Sequence, residues 1–77
     1  GSGTIINGTV ENSVVFRRVF IGDRAVIKNS ILMEGCYIGD DCVIENAILD
    51  KNVVVTSGKN IYADDGGLKV IKKNSVI

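Results

Sequence analysis

The chain of 77 residues contains no histidine, no proline and no tryptophan. Histidine is the commonest general base and a frequent metal ligand, so its absence removes the usual means of acid–base catalysis and of building a zinc centre. Aromatic residues are few: Phe16, Phe20, Tyr37 and Tyr62. Neither sign of charge dominates, with 9 basic and 9 acidic residues spread along the chain and a net charge of zero. No basic stripe of the kind that binds nucleic acid is visible, and no nucleic-acid partner is expected. No apolar run approaches the length of a membrane span and no signal peptide is visible, so the expected setting is cytoplasmic, without membrane contact. Cys36 and Cys42 are expected to be small buried thiols rather than a disulfide. Met33 is the sole methionine, and Gly1-Ser2-Gly3 reads as a cloning scar, so the chain is expected to be an excised piece of a longer protein. At this length it is one small domain at most, which often needs a partner to be stable.

What the chain does contain is a repeat. IGDRAVIKNSILMEGCY (21–37) lies over IGDDCVIENAILDKNVV (38–54) without a gap, at a spacing of 17. Ile21/Ile38, Gly22/Gly39, Asp23/Asp40, Val26/Val43, Ile27/Ile44, Asn29/Asn46, Ile31/Ile48 and Leu32/Leu49 are identities. VENSVVFRRVF (10–20) is a partial third copy over residues 27–37. A fixed period of this size marks a solenoid, in which each repeat buries its apolar face on the next.

Large aliphatics fall at Val10, Val15, Ile21, Ile27, Leu32, Ile38, Ile44, Leu49 and Val55, in steps of five or six. A helix would not hold this step, and β-branched residues favour strands. The pattern predicts three short strands per coil with a corner after each. The expected inner ladders are Val10/Ile27/Ile44, Val15/Leu32/Leu49, Ile21/Ile38/Val55, Val14/Ile31/Ile48, Val19/Cys36/Val53 and Ala25/Cys42. Gly22 and Gly39 follow corner aliphatics, where a backbone without Cβ turns most easily. Asn12, Asn29 and Asn46 form a column suited to turns. The outer columns Glu11/Lys28/Glu45 and Arg17/Glu34/Lys51 alternate in sign, and Arg24 falls over Asp41, which supports the register. Asp23/Asp40 is a like-charge pair. Residues 4–55 are therefore expected to form the coils. Thr4 falls over Ile21 and Gly8 over Ala25, while Ile5 and Ile6 match nothing. Residues 56–69, with Gly58, Gly66 and Gly67 and two adjacent aspartates, read as a loop. Residues 70–77 read as a terminal strand that caps the coil.

Chemistry is sparse. No GxGxxG, no P-loop and no nucleophile–base pair occurs. Asp64 and Asp65 beside Gly66-Gly67 have no cation-ligand spacing and read as an acidic loop. The Asn column reads as structural. No catalytic residue, metal ligand or cofactor site is expected.

The hexads IGDRAV and IGDDCV resemble the hexapeptide-repeat family. That resemblance implies an all-β fold, a left-handed parallel β-helix of about three coils with a C-terminal capping strand. The handedness is implied by the resemblance alone, since the usual crossover of parallel strands is right-handed. A more particular resemblance runs over residues 8–59, in TVENSV, IKNSILM (27–33) and ILDKNVVV (48–55), with VIKKNSVI at the end. These resemble the C-terminal domain of bacterial glucose-1-phosphate adenylyltransferases (ADP-glucose pyrophosphorylases), of the regulatory glycogen-biosynthesis subunit type. The resemblance implies a non-catalytic domain for subunit association and allosteric coupling. The implied partners are its own catalytic domain and other adenylyltransferase subunits, in a homo- or hetero-oligomer. The chain alone is then expected neither to bind ATP or glucose 1-phosphate nor to transfer a nucleotidyl group, since nothing in it would cradle phosphates. Two other readings stay open: a fragment of a hexapeptide acyltransferase whose histidine lies elsewhere, and the β-helix tail of another sugar-nucleotide pyrophosphorylase.

Several residues just before corners are apolar and expected to point outward. Phe20/Tyr37/Val54 form one column, Val26/Val43 another, and Phe16/Met33 follow a third corner. Phe16, Phe20, Met33, Tyr37 and Val54 are the candidate interface residues, with exposed aromatics as the reason.

Overall fold

The computed structural model describes residues 3–77. The reading of residues 1–3 as a cloning scar falls, Gly3 apart, outside the described residues. Among those residues there is no helix, and all regular structure is short parallel strands. They wind as a three-sided parallel coil of about three turns, as the repeat predicts, in agreement with the left-handed β-helix that the family resemblance implies.

Face A is built from β1 (Ile5–Ile6), β4 (Phe20–Ile21), β7 (Tyr37–Ile38) and β10 (Val54–Val55). Face B holds β2 (Thr9–Glu11), β5 (Val26–Lys28), β8 (Val43–Glu45) and β11 (Asn60–Ile61). Face C holds β3 (Val14–Val15), β6 (Ile31–Leu32), β9 (Ala47–Leu49) and β12 (Lys69–Ile71). Each strand pairs in parallel with the strand one coil away, and the 17-residue register holds at Phe20↔Tyr37, Ile27↔Ile44 and Leu32↔Leu49.

The core is a set of stacked columns along the axis. Ile21, Ile38 and Val55 are fully buried, as are Ile27, Ile44, Leu32 and Leu49. The small spaces at the corners take Val19, Cys36 and Val53 in one column and Ala25 and Cys42 in another. Val10 and Val15, in the first coil, are only partly covered. Each fully buried aliphatic contributes roughly 1.5–3 kcal/mol.

One expected ladder is wrong. Val14, Ile31 and Ile48 point outward, with Val14 54% exposed, and the inner position belongs to the residue before each. Ser30 and Ala47 are buried there. The step from Ile27 to Leu32 is five residues, so the second inward residue comes three places on rather than four. Ser30 is tolerated inside because its hydroxyl is fully used. Its Oγ donates to the Lys28 carbonyl at 2.7 Å and accepts from the Ala47 N–H at 3.1 Å. Ser13 repeats the arrangement one coil earlier, donating to the Glu11 carbonyl and accepting from the Ser30 N–H at 3.0 Å. The hydroxyls extend the sheet hydrogen bonding across a corner that the backbone alone leaves open.

The corners are made by left-handed residues. Arg24, Asp41 and Gly58 turn face A into face B; Asn12, Asn29 and Asn46 turn B into C. Gly3, Arg18, Gly35, Asn52 and Asn74 turn C back into A. All have φ between 47° and 79°, a region that asparagine enters more readily than most residues. The Asn column is structural as expected, and the Asn12 side-chain amide donates to Asn29 Oδ1 at 2.6 Å. Gly22 and Gly39 do not have positive φ, contrary to the reason expected for them. They are glycines because the next coil passes too close: a Cβ on Gly39 would lie 2.6 Å from the Ser57 nitrogen, and one on Gly22 2.8 Å from the Asp40 nitrogen. The like-charge pair Asp23/Asp40 has a matching explanation, since Asp40 Oδ1 accepts the Asp23 N–H at 2.8 Å.

Both ends of the chain depart from the expected boundaries. Ile6, not Thr4, pairs with Ile21, because the first coil is two residues short between Ile6 and Gly8. Gly8 does sit against Ala25, as the Thr9 N–H bonds the Ala25 carbonyl at 2.8 Å. Residues 56–69 are not one loop. Asn60–Ile61 continues face B as β11, and Ile61 is buried in line with Ile44. The true insertion lies between β11 and β12, where Tyr62 and Leu68 are exposed. It raises the spacing to 22 residues, as in Ile71↔Leu49. The tail then returns to face A through a bridge between Val76 and Val54.

Candidate docking surface

Among the described residues, no group of three or more His, Cys, Asp or Glu side chains is placed to hold a metal ion. The two thiols are free and buried, and each S–H donates to a carbonyl, Cys36 to Asp50 and Cys42 to Thr56, both at 3.1 Å. Burial pushes the Cys36 thiol up, away from the nucleophilic thiolate. What the chain presents to solvent is a set of flat, regular faces with repeated side chains.

On face A the outward column runs Ile5, Phe20, Tyr37, Val54 and Val76, in register through every coil. The Phe20 and Tyr37 rings stack at 4.9 Å between centroids and 13° between planes, as a parallel ladder requires of two aromatics one coil apart. Tyr37 is 47% exposed, whereas Phe20 and Val54 are half-buried. Ile5 and Val76, at the two ends, are more open still. Of the five residues singled out from the sequence, the structure therefore brings Phe20, Tyr37 and Val54 into one stripe. Phe16 and Met33 stack on face C instead, with Phe16 exposed and Met33 half-buried.

Sequence reasoning missed the second column of face C. Val14, Ile31, Ile48 and Val70 are stacked outward there, beside Phe16 and Met33. The signal was present: Ser13, Ser30 and Ala47 are small, polar or both, as suits a tight inner corner, and a β-branched residue follows each. Face B is more polar, with Glu11↔Lys28↔Glu45 facing out next to Val26 and Val43. At the corners, Arg18 donates to Glu34 at 2.6 Å with Arg17 at 3.7 Å, and Arg24 holds Asp41 through two N–H groups at 2.7 and 3.2 Å. Hydrogen bonding from Arg18 and Arg24 holds the Glu34 and Asp41 carboxyls below their ordinary range. These ion pairs are exposed, and each adds little stability.

Residues 1–67 match a family model described as GlmU-like, C-terminal hexapeptide. The chain belongs to this family. It is a hexapeptide-repeat β-helix domain, as its inner columns and its three parallel faces also require. No curated protein and no solved structure gives a significant match. Within the family's fold, the three faces differ in what they offer a partner. Face A and the first half of face C are apolar and flat; face B and the corners carry the charge.

Proposed function

We propose that this GlmU-like hexapeptide domain acts in subunit association and allosteric coupling rather than in catalysis, within a parent enzyme that handles sugar nucleotides. The finer reading is the C-terminal domain of a glucose-1-phosphate adenylyltransferase of glycogen biosynthesis. The family match supports the general class, and the sequence likeness over residues 8–59 supports the finer one. The observation that carries the association role is the unbroken apolar stripe of face A, with the stacked Phe20 and Tyr37 at its centre. Stacked aromatics present a large, rigid contact area at little entropic cost, which is why they anchor interfaces.

The test is sedimentation of the isolated chain over a range of concentrations. The wild type self-associates, and the double substitution Phe20→Ser, Tyr37→Ser shifts it toward monomer while the strand signal in circular dichroism stays intact. A wild-type chain that sediments as a clean monomer at high concentration removes the basis for the proposal. The residues upstream in the parent gene discriminate the class of enzyme. A glycine-rich nucleotide-binding loop there supports a pyrophosphorylase, and a histidine-bearing hexad supports an acyltransferase.

A further inference from the structure

The turn from face A to face B takes four residues in the two central coils, 22–25 and 39–42, but only two in the first, Asn7 and Gly8. Ile6 pairs with Ile21 and Thr9 with Val26, so the chain crosses this corner on the dipeptide alone. It runs tightly against the next coil to do so. The Thr9 N–H bonds the Ala25 carbonyl at 2.8 Å, and a Cβ on Gly8 would collide with that carbonyl oxygen. Residue 8 is therefore held to glycine by packing. Asn7 before it is exposed, and it alone among the asparagines precedes a glycine. Among the described residues, neither the Asn7 side-chain amide nor the Gly8 N–H has a hydrogen-bond partner. The asparagines that precede serine are tied down instead. The Asn12 amide donates to Asn29 Oδ1 at 2.6 Å, the Ser30 N–H to Ser13 Oγ at 3.0 Å and the Ser75 N–H to the Lys72 carbonyl at 3.3 Å.

We propose that Asn7 and Gly8 form a self-modifying site, at which the folded chain closes a succinimide and opens it to isoaspartate, releasing β1 and baring the edge of β4. The Gly8 nitrogen gives its proton to a base in the solvent and attacks Asn7 Cγ. A C–N bond forms, and the side-chain nitrogen takes up a proton from water and leaves as ammonia. Water then adds to one of the two ring carbonyls and breaks one C–N bond. Opening at Cγ gives aspartate; opening at the Asn7 main-chain carbonyl gives isoaspartate, with one more methylene in the main chain. The net reaction is hydrolysis of an amide, with water as the co-reactant and no change of oxidation state. Glycine favours the ring closure because no side chain shields its nitrogen and its dihedrals turn freely. The attack is intramolecular, which removes the entropic cost of bringing the groups together.

A corner of two residues has no slack for an extra methylene. β1 is held by the Ile5 and Asn7 N–H groups, which bond the Val19 and Ile21 carbonyls at 2.9 Å, and by Thr4 Oγ1 on the Phe16 carbonyl at 3.0 Å. Ile5 is 53% and Ile6 46% exposed, so little burial opposes the loss of this strand. Its departure leaves the Val19 and Ile21 carbonyls on an open edge, the kind of edge that pairs with further strands. The product also adds one negative charge to a chain whose net charge is zero. The proposal rests on this corner and not on the assembly role of face A.

The experiment ages the 77-residue chain in native buffer at mildly alkaline pH. Peptide mapping by mass spectrometry follows each asparagine, and enzymatic methylation of the isoaspartyl carboxylate counts that product. Loss of the Asn7 amide is expected, with Asn12, Asn29 and Asn74 intact over the same time. In the isoaspartyl fraction, hydrogen-exchange protection is lost at the amides of Ile5 and residue 7, while those of Val26 and Val43, bonded between inner coils, keep theirs. Asn7→Gln keeps both its amide and its protection, because closing the larger ring is slow. Freshly prepared Asn7→Asp carries the added charge without the extra methylene and retains β1, which separates the backbone effect from the charge. The proposal is overturned if Asn7 keeps its amide under conditions that convert an unstructured peptide with the same Asn-Gly pair. It is equally overturned if Asn29 or Asn74 converts as fast, if the isoaspartyl chain keeps full protection at Ile5, or if Asn7→Asp loses β1 as completely.

Discussion

Ser30→Ala tests the least expected part of the core. Ser30 is 3% exposed, and its hydroxyl carries two hydrogen bonds, one to the Lys28 carbonyl and one from the Ala47 N–H. Alanine keeps the packing volume nearly unchanged, so the cost is the loss of these partners. Ala47 is fully buried, and its N–H is left without an acceptor; that orphaned donor costs about 1–3 kcal/mol. The Lys28 carbonyl still accepts the Asn46 N–H at 3.1 Å, so it adds little. A loss of about 2 kcal/mol lowers the melting temperature of a domain this size by about 8–16 °C. Ser13→Ala removes an equivalent hydroxyl one coil earlier, where coverage is incomplete, and is expected to cost less than half as much. Ala47→Ser is not expected to compensate or to extend the ladder, because the next N–H, that of Lys69, already bonds the Asn46 carbonyl at 2.9 Å. The measurement is urea unfolding followed by far-ultraviolet circular dichroism. A Ser30→Ala midpoint indistinguishable from wild type would refute the claim that the hydroxyl bridges the coils.

Ile44 is fully buried between Ile27 and Ile61, so Ile44→Asp places an unpaired charge on the axis and unfolds a domain whose whole stability is about 4–12 kcal/mol. Glu45→Asp, one residue on and outward, is expected to be silent, and circular dichroism melts of the two variants check the register. Acid weakens the corner ion pairs: the Glu34 and Asp41 pKa values are depressed in the fold, so their contribution is present above the ordinary carboxylate pKa and is lost as pH falls through the folded values. The Arg18→Ala, Arg24→Ala double variant should therefore differ slightly from wild type in melting temperature near neutral pH and converge with it well below about pH 4, the small gap also closing at high salt. Cys36 and Cys42 should resist a thiol reagent in the native state and both react on unfolding; rapid labelling of the native chain would contradict their burial.

Much of this fold was legible because a β-solenoid repeats its environment. Ile21, Ile27 and Leu32 meet the same surroundings as Ile38, Ile44 and Leu49, so the sequence period reports the coil directly. The alternating charge columns carried the same register on the outside. The Phe20/Tyr37/Val54 stripe followed from it, since a residue beside a buried one must face out on a short strand. The error at Val14, Ile31 and Ile48 arose where one step of the coil shortens to five residues. Apolar character then no longer separates inside from outside, and a buried serine holds the inner place by satisfying its hydrogen bonds.

The sequence by itself determined the period, the three-strand coil and the axial columns, because these depend only on which residues recur. It also carried, unread, the continuation at Ile61, Ile71 and Ile77, which keeps the six-residue steps on either side of one enlarged gap. The tertiary structure decided what depends on contacts between coils. It made Gly22 and Gly39 obligatory by close approach rather than by backbone angle. It gave Ser30 its partners. It brought Lys51 beneath Lys73, because the insertion after Ile61 changes the spacing of the last coil in a way that no fixed repeat length predicts.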